Sequence, residues 1–293
     1  NANGNEPAPT VSETVTADGL AVTATVPLGD QLNFSDQGSV TNNTYTLAAN
    51  SFEKTGLPAI VFSDVETVAI ESGSGNDTLT VTGTTNTTQT SIMTMEGEDT
   101  VTIDDSGDDA ILVVATGIGN DTATVNDTGN RSVTRIETFE GEDDVTIASS
   151  GIQSGVEVAT GNAVDVVSVL ATGNQSATLV RTGASDDIIN LQSTAADSFT
   201  EVLANAGNDT INVSSDADGD RLNNSGDPAG TLDGFLGQIR IHAGANEALP
   251  TVSETVTANG VNATATVPLG DQVNISDQGS VADNTYNLTA NSF

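Results

Sequence analysis

An aspartate returns at every twenty-second position in this chain: Asp77, Asp99, Asp121, Asp143, Asp165, Asp187 and Asp209, with no slip of register over seven units. The columns around it keep the same phase. Seven residues before each aspartate stand Ile70, Ile92, Val114, Ile136, Val158, Val180 and Val202. Two after it stand Leu79, Val101, Ala123, Val145, Val167, Ile189 and Ile211, and four after it Val81, Ile103, Val125, Ile147, Val169, Leu191 and Val213. The aliphatic columns alternate with polar ones at a period of two within each unit, which is strand geometry. A glycine column (Gly107, Gly129, Gly151, Gly173) marks a second turn. Two short strands and two turns per aspartate interval make one coil, and a coil of this size cannot bury its own face. The coils must stack. The expected fold is therefore all-β, a parallel β-solenoid whose columns become ladders at about 4.8 Å per coil.

A longer repeat encloses the short one. PTVSETVTADG at 9–19 returns as PTVSETVTANG at 250–260, and VPLGDQLNFSDQGSV at 26–40 as VPLGDQVNISDQGSV at 267–281, an offset of 241 residues. The chain reads as one unit plus the opening of the next, and NANGNE at the start, without an initiator Met, is expected of a piece of a longer processed protein. The expected segments are 1–8 as the tail of a preceding unit, 9–64 as N-terminal β coils and 65–215 as the regular solenoid. There follow 216–236 as an acidic loop, 237–249 as a last degenerate coil and 250–293 as the start of the next unit. Met95 and Phe139, which alternate with Gly73 and Gly117 four residues before the aspartates, are expected to cover turns that the glycine coils leave open.

Composition narrows the function. Forty-one acidic against 6 basic residues give a net charge of −35, which repels nucleic acid and anionic membrane. There is no cysteine, hence no disulfide framework or thiolate metal site. No apolar run approaches the roughly 20 residues of a membrane span. The carboxylate pairs that could serve glycoside hydrolysis recur with the repeat, as ladder features do, whereas catalysis needs one unique cleft. His242 is the single histidine, there is no Trp, and Tyr45 and Tyr286 are one position in successive units. An enzyme or a carbohydrate groove is not expected.

The aspartate column could serve shape, a metal or catalysis, and the recurrence of the column sets catalysis aside. Asp caps turns through backbone N–H groups, but so does Asn. Stacked carboxylates about 4.8 Å apart repel by about 3 kcal/mol per pair at an effective dielectric near 20, before screening. Asparagine would cap without that cost, so an Asp at every step argues for a compensating cation. Halophilic adaptation explains the acidity but not the strict column.

The motif Ser72-Gly73-Ser74-Gly75-Asn76-Asp77-Thr78-Leu79-Thr80 resembles the nonapeptide G-G-x-G-x-D-x-U-x of the RTX, or haemolysin-type, calcium-binding repeats. Thr116 to Thr124 matches likewise, and Ala204 to Asn212 keeps Gly207, Asp209 and Ile211. The resemblance implies a β-roll with Ca²⁺ between successive turns, held by the aspartates and turn carbonyls. It covers about half the chain. It departs in coil length, the coil here being longer than the family's two nonapeptides, and in having the Asp motif on one edge only. Asp165 and Asp187 follow Ala163 and Ser185 where the motif has glycine. The chain is also similar to the GNDTLTV-type arrays of very large secreted surface proteins. A second candidate calcium site is DADGDRLNNSGD at 216–227, where Asp216, Asp218 and Asp220 at alternate positions can converge on one hard cation, with Asp227 at loop position 12. This resembles an EF-hand-like or dockerin-like loop, with Arg221 in place of the usual glycine.

The sequence thus leads to a structural unit of an extracellular, calcium-stabilised fibre, filament or surface layer. Its partners are other copies of the same unit. The alternatives are the stalk of a calcium-dependent adhesin and an RTX-like export module of a secreted enzyme.

Overall fold

The computed structural model describes residues 9–217, 230–244, 251–258, 261–268 and 270–280. It is an all-β parallel solenoid. Each coil runs through a five-residue strand, the aspartate turn, a four-residue strand and a second turn. The five-residue strands begin at Thr67–Glu71 and recur through Gln89–Met93, Ile111–Ala115, Val133–Glu137, Gly155–Ala159 and Ala177–Arg181 to Phe199–Leu203. The four-residue strands run likewise from Thr78–Val81 to Thr210–Val213. Each strand pairs in parallel with its counterpart one coil away, residue on equivalent residue: Leu79 with Val101, Ile70 with Ile92. The result is two sheets, one of nine and one of eleven strands, facing each other across the aliphatic ladders. The second and fourth residues of each strand point inward, and the core runs unbroken from Tyr45 and Leu47 to Ile211 and Val213.

The glycines of the aspartate turn have a steric reason. Gly117 adopts φ 109°, and a Cβ there would overlap the carbonyl oxygen of Met95 in the preceding coil. Left-handed backbone and close backbone approach both select glycine. The same approach involves Met95 and Phe139. Both hold positive φ themselves, and Phe139 is 49% exposed. Their carbonyls abut Gly117 and Gly161, and the alternation of bulky residue and glycine is a backbone fit between coils.

The segment expected as coils over 9–64 is more varied. Gln31–Ser35 and Thr44–Ala48 form a true coil against Thr67–Glu71 and Thr78–Val81. Ser51–Lys54 and Ile60–Val61 then turn back antiparallel and close that edge of the eleven-stranded sheet. Thr10–Ala17 and Leu20–Pro27 form an antiparallel hairpin rather than a coil. Its turn residues Asp18 and Gly19 both have positive φ, the requirement of a two-residue hairpin loop whose twist matches its strands. The hairpin lies like a strap on the outer face of the five-residue strands. There Val15, Ala17, Val22, Ala24 and Val26 pack against the outward-facing Ile111, Val133, Ala177 and Leu179. Its tip is pinned by Asp18, whose N–H donates to Glu201 Oε2 (2.8 Å) and whose carboxylate pairs with Arg240. Arg135 bridges Glu13 of the strap and Glu157 of the sheet, at 3.5 and 3.0 Å.

At the far end, Gln238–His242 adds the last rung to the nine-stranded sheet. The last rung of the other sheet is Gln272–Ile275, which pairs with Thr210–Val213. Between them Thr251–Ala258 and Val261–Pro268 repeat the strap hairpin in identical register.

Candidate functional site: the aspartate ladder

The turn after each five-residue strand places its aspartate at the corner of the coil, where the side chain lies along the solenoid axis toward the neighbouring coil. All seven are buried, with 2% exposure or less. They form one hydrogen-bonded chain. The backbone N–H of Asp77 donates to Oδ1 of Asp99 (2.7 Å), Asp99 to Asp121 (2.8 Å), Asp121 to Asp143 (2.8 Å), and so through Asp165 and Asp187 to Asp209, each at 2.9 Å. Asn43 N–H starts the row on Asp77 Oδ1 (2.8 Å), and Asp271 ends it by accepting from Asp209 N–H (3.1 Å). Asp271, the repeat copy of Asp30, is an eighth ladder member that the regular spacing did not reach. Asp165 and Asp187 take the same place as the rest despite their missing glycine.

One carboxylate oxygen therefore caps the neighbouring turn. The other is different. Asp77 Oδ2 lies 3.3 Å from the Gly73 N–H that donates to it, but Oδ2 of Asp99, Asp121, Asp143, Asp165, Asp187 and Asp209 is buried with no hydrogen-bond partner. An unpaired buried carboxylate oxygen is expensive. Burial, the first cause in every case, pushes Asp99 and Asp187 up to about 7 and Asp143 and Asp209 up to about 6, and raises Asp121 and Asp165 as well. The capping N–H bonds and, for Asp99, Asp121, Asp143, Asp165 and Asp187, the threonine five residues upstream pull the other way, and neighbouring carboxylates push several of them further up. Thr94 Oγ1 itself donates to the carbonyl of Thr116 (2.9 Å). A row of such oxygens can be relieved by a proton or by a cation. Among the described residues no three carboxylate or imidazole groups converge on one point, so an ion here would rest on neighbouring carboxylates and turn carbonyls.

The second candidate site lies mostly outside the described residues: Asp218, Asp220 and Asp227 do. Asp216 is described. It accepts a hydrogen bond from Ser214 Oγ. The described lysine and arginines have structural partners. Lys54 pairs with Asp36, Arg131 with Asp109 (2.7 Å), and Arg135, Arg181 and Arg240 with Glu157 or Asp18. His242 Nε2 lies 3.3 Å from Glu201.

The opposite turn carries a neutral ladder that escaped the sequence reading. Thr84, Ser106, Thr128, Ser150, Thr172 and Thr194 recur at the same interval as the aspartates. Their hydroxyls accept the N–H of Gly107, Gly129, Gly151, Gly173, Ala195 and Gly237 at 2.9–3.0 Å. The signal was present as a Ser/Thr column one residue ahead of the glycine column of the coil. Searches against protein-family models, curated proteins and solved structures return no match to this chain.

Proposed function

We propose that this chain is a structural unit of an extracellular, calcium-stabilised rod that serves as a fibre, filament or surface layer. One observation carries the reading: the opening of the second repeat supplies the last rung of the first, Gln272–Ile275 on Thr210–Val213. A unit that is completed by its successor is suited to an uninterrupted array, and the partners are further copies of the unit. The strict register of the coils adds stiffness, because every rung is hydrogen-bonded to the next on both faces of the coil.

Calcium enters this reading through the orphaned Oδ2 row. The residues that would hold it are Asp99, Asp121, Asp143, Asp165, Asp187 and Asp209. A divalent cation would supply the positive charge that this buried row lacks, and oxygen-only ligands suit calcium. The RTX resemblance of the turn motif points the same way. The chain's own residues do the rest: Oδ1 fixes each carboxylate by its N–H bond, and the aliphatic ladders exclude water from the inner side.

Electron microscopy of chains carrying one, two and four tandem units tests the reading. Unbranched rods that lengthen by a constant increment per unit are expected. Beads joined by flexible segments would refute it.

A further inference from the structure

The two copies of one segment occupy different sheets. Gln31–Ser35 is the terminal strand of the nine-stranded sheet and pairs with Thr67–Glu71. Its repeat, Gln272–Ile275, is the terminal strand of the eleven-stranded sheet and pairs with Thr210–Val213. The two pairings use opposite edges. In a parallel sheet successive residues direct their N–H and C=O groups to alternate sides. In the first copy Asp36 N–H donates to Glu71 O (2.8 Å) and Asp30 O accepts from Thr67 N–H (3.1 Å). That edge therefore belongs to Asp30, Leu32, Phe34 and Asp36. In the second copy Gln272 N–H donates to Asp209 O (2.7 Å) and Ser276 N–H to Val213 O (3.2 Å). That edge belongs to Gln272, Asn274 and Ser276, the counterparts of Gln31, Asn33 and Ser35.

Interior rungs divide their backbone in the same way. Thr67 bonds backward to Asp30 and Ser72 forward to Met93, while Thr100 and Asp104 bond backward to Asp77 and Val81. First, third and fifth positions face back; second, fourth and sixth face forward. The side chains agree. Phe34 and Ile275, the same position in the two copies, both pack against the core. Asp30 spends its backbone on its own unit, with its N–H on Glu66 Oε2 (2.7 Å). Its copy Asp271 gives its carboxylate to the preceding unit's Asp209. Asn274 Nδ2 also donates to Asn212 Oδ1 (2.9 Å), which pins the register.

We infer that in the array a single strand makes both pairings at once. It is the last rung of one unit's four-residue sheet and the first rung of the next unit's five-residue sheet. This rests on the array reading above and specifies its junction. The outer docking edge of this chain is then the Gln31, Asn33 and Ser35 side of Gln31–Ser35, and its occupant is the Thr210–Val213 edge of a preceding copy. The other sheet is not joined, because Ser51–Lys54 occupies the backward edge of Thr44–Ala48. One hydrogen-bonded sheet therefore crosses each junction. Since it passes from the four-residue to the five-residue face, the straps of successive units lie on opposite sides of the rod.

The test is residue-resolved amide exchange on two chains: the 293-residue chain, and one in which residues 1–250 run directly into residues 10–293. In the first, Leu32, Phe34 and Asp36 are expected to exchange slowly, and Gln31, Asn33 and Ser35 at least a hundredfold faster. In the doubled chain both sets of the internal junction strand become slow. Asn33→Pro should leave the melting of the single-unit chain unchanged, where Leu32→Pro lowers it. The same Asn→Pro change at the internal junction should split the doubled chain's melt into two transitions. Protection of only one alternate set at the internal junction would overturn the proposal, as would equal damage from Asn33→Pro and Leu32→Pro in the single-unit chain. Either result would leave the rod reading to electron microscopy, since units can align without sharing a strand.

Discussion

The two turns of each coil solve one problem with different chemistry. At one corner a Ser or Thr hydroxyl accepts an N–H from the next coil, and none of the six hydroxyls lacks a partner. At the other corner an aspartate accepts with Oδ1 from the preceding coil and leaves Oδ2 buried and unpaired in six successive coils. The neutral corner shows that capping needs no charge. The second oxygen of the aspartate is surplus to capping, and a repeated buried surplus charge is what an ion or a proton would be expected to serve.

The largest expected effect comes from removing one cap at each corner. Asp143→Ala and Ser150→Ala each leave one N–H without its acceptor, a loss of about 1–3 kcal/mol. If calcium binds as proposed, Asp143→Ala in millimolar calcium should exceed Ser150→Ala by a further ~1–2 kcal/mol, because a ligand would be lost with the cap. In chelator the order should vanish or invert. Urea melts of both variants in both buffers measure this, and equal losses in calcium would return the aspartate to the status of a plain cap.

Acid should separate the corners next. The ladder aspartates have folded pKa values raised above the ordinary 3.8 by burial, to about 7 at Asp99 and Asp187 and about 6 at Asp143 and Asp209. The folded state therefore holds protons that the unfolded state releases. The stability they contribute is fully present below pH 4 and is lost as pH rises through 6–7. Calcium-free protein should melt at a higher temperature at pH 5 than at pH 8. With calcium the trend should reverse, since the ion requires the deprotonated carboxylates. The hydroxyls do not titrate and the residues on either side of Ser150 (Ala148 to Gln153) carry no carboxyl, so Ser150→Ala should leave both pH profiles unchanged in shape. A calcium-free melting temperature that climbs from pH 5 to pH 8 would contradict this account.

The smallest effect is the most diagnostic substitution. Asp143→Asn keeps an oxygen acceptor for Asp121 N–H and removes the charge. Without calcium it should be neutral or stabilising by about 0.5–1 kcal/mol, and it should reduce the calcium-induced gain. Differential scanning calorimetry resolves a shift of this size. An unchanged calcium response would remove Asp143 from any ion site.

The solenoid was legible because its signal is periodic. Seven aspartates and their aliphatic columns fix coil length, strand parity and register without any tertiary information. The strap was not read, although its signs were present. Asp18-Gly19 between two alternating runs is a hairpin signal, and Asn259-Gly260 repeats it. The outward-facing Ile111, Val113, Val133 and Leu179 are apolar where a solvated face would be polar. The strap was missed because its docking partners lie several coils away in sequence, and short alternating strands look alike whether they join a coil or lie on one. The ladder aspartates were legible as a column, but the division of labour between Oδ1 and Oδ2 was not. It depends on how the turn aims the side chain at the neighbouring coil. The change of sheet between Gln31–Ser35 and Gln272–Ile275 has no sequence signal, because the two copies are nearly identical and only their neighbours differ.

The measurement that tests the central claim most directly is a far-UV circular dichroism melt in excess EGTA and in millimolar calcium, at fixed ionic strength and pH 7.5. The account predicts a calcium-dependent rise in melting temperature on the order of 10 °C or more, since several linked sites each contribute through RT ln(1 + [L]/Kd). Magnesium at the same concentration should reproduce little of it. Superimposable melts would contradict the account and leave the aspartates as turn caps.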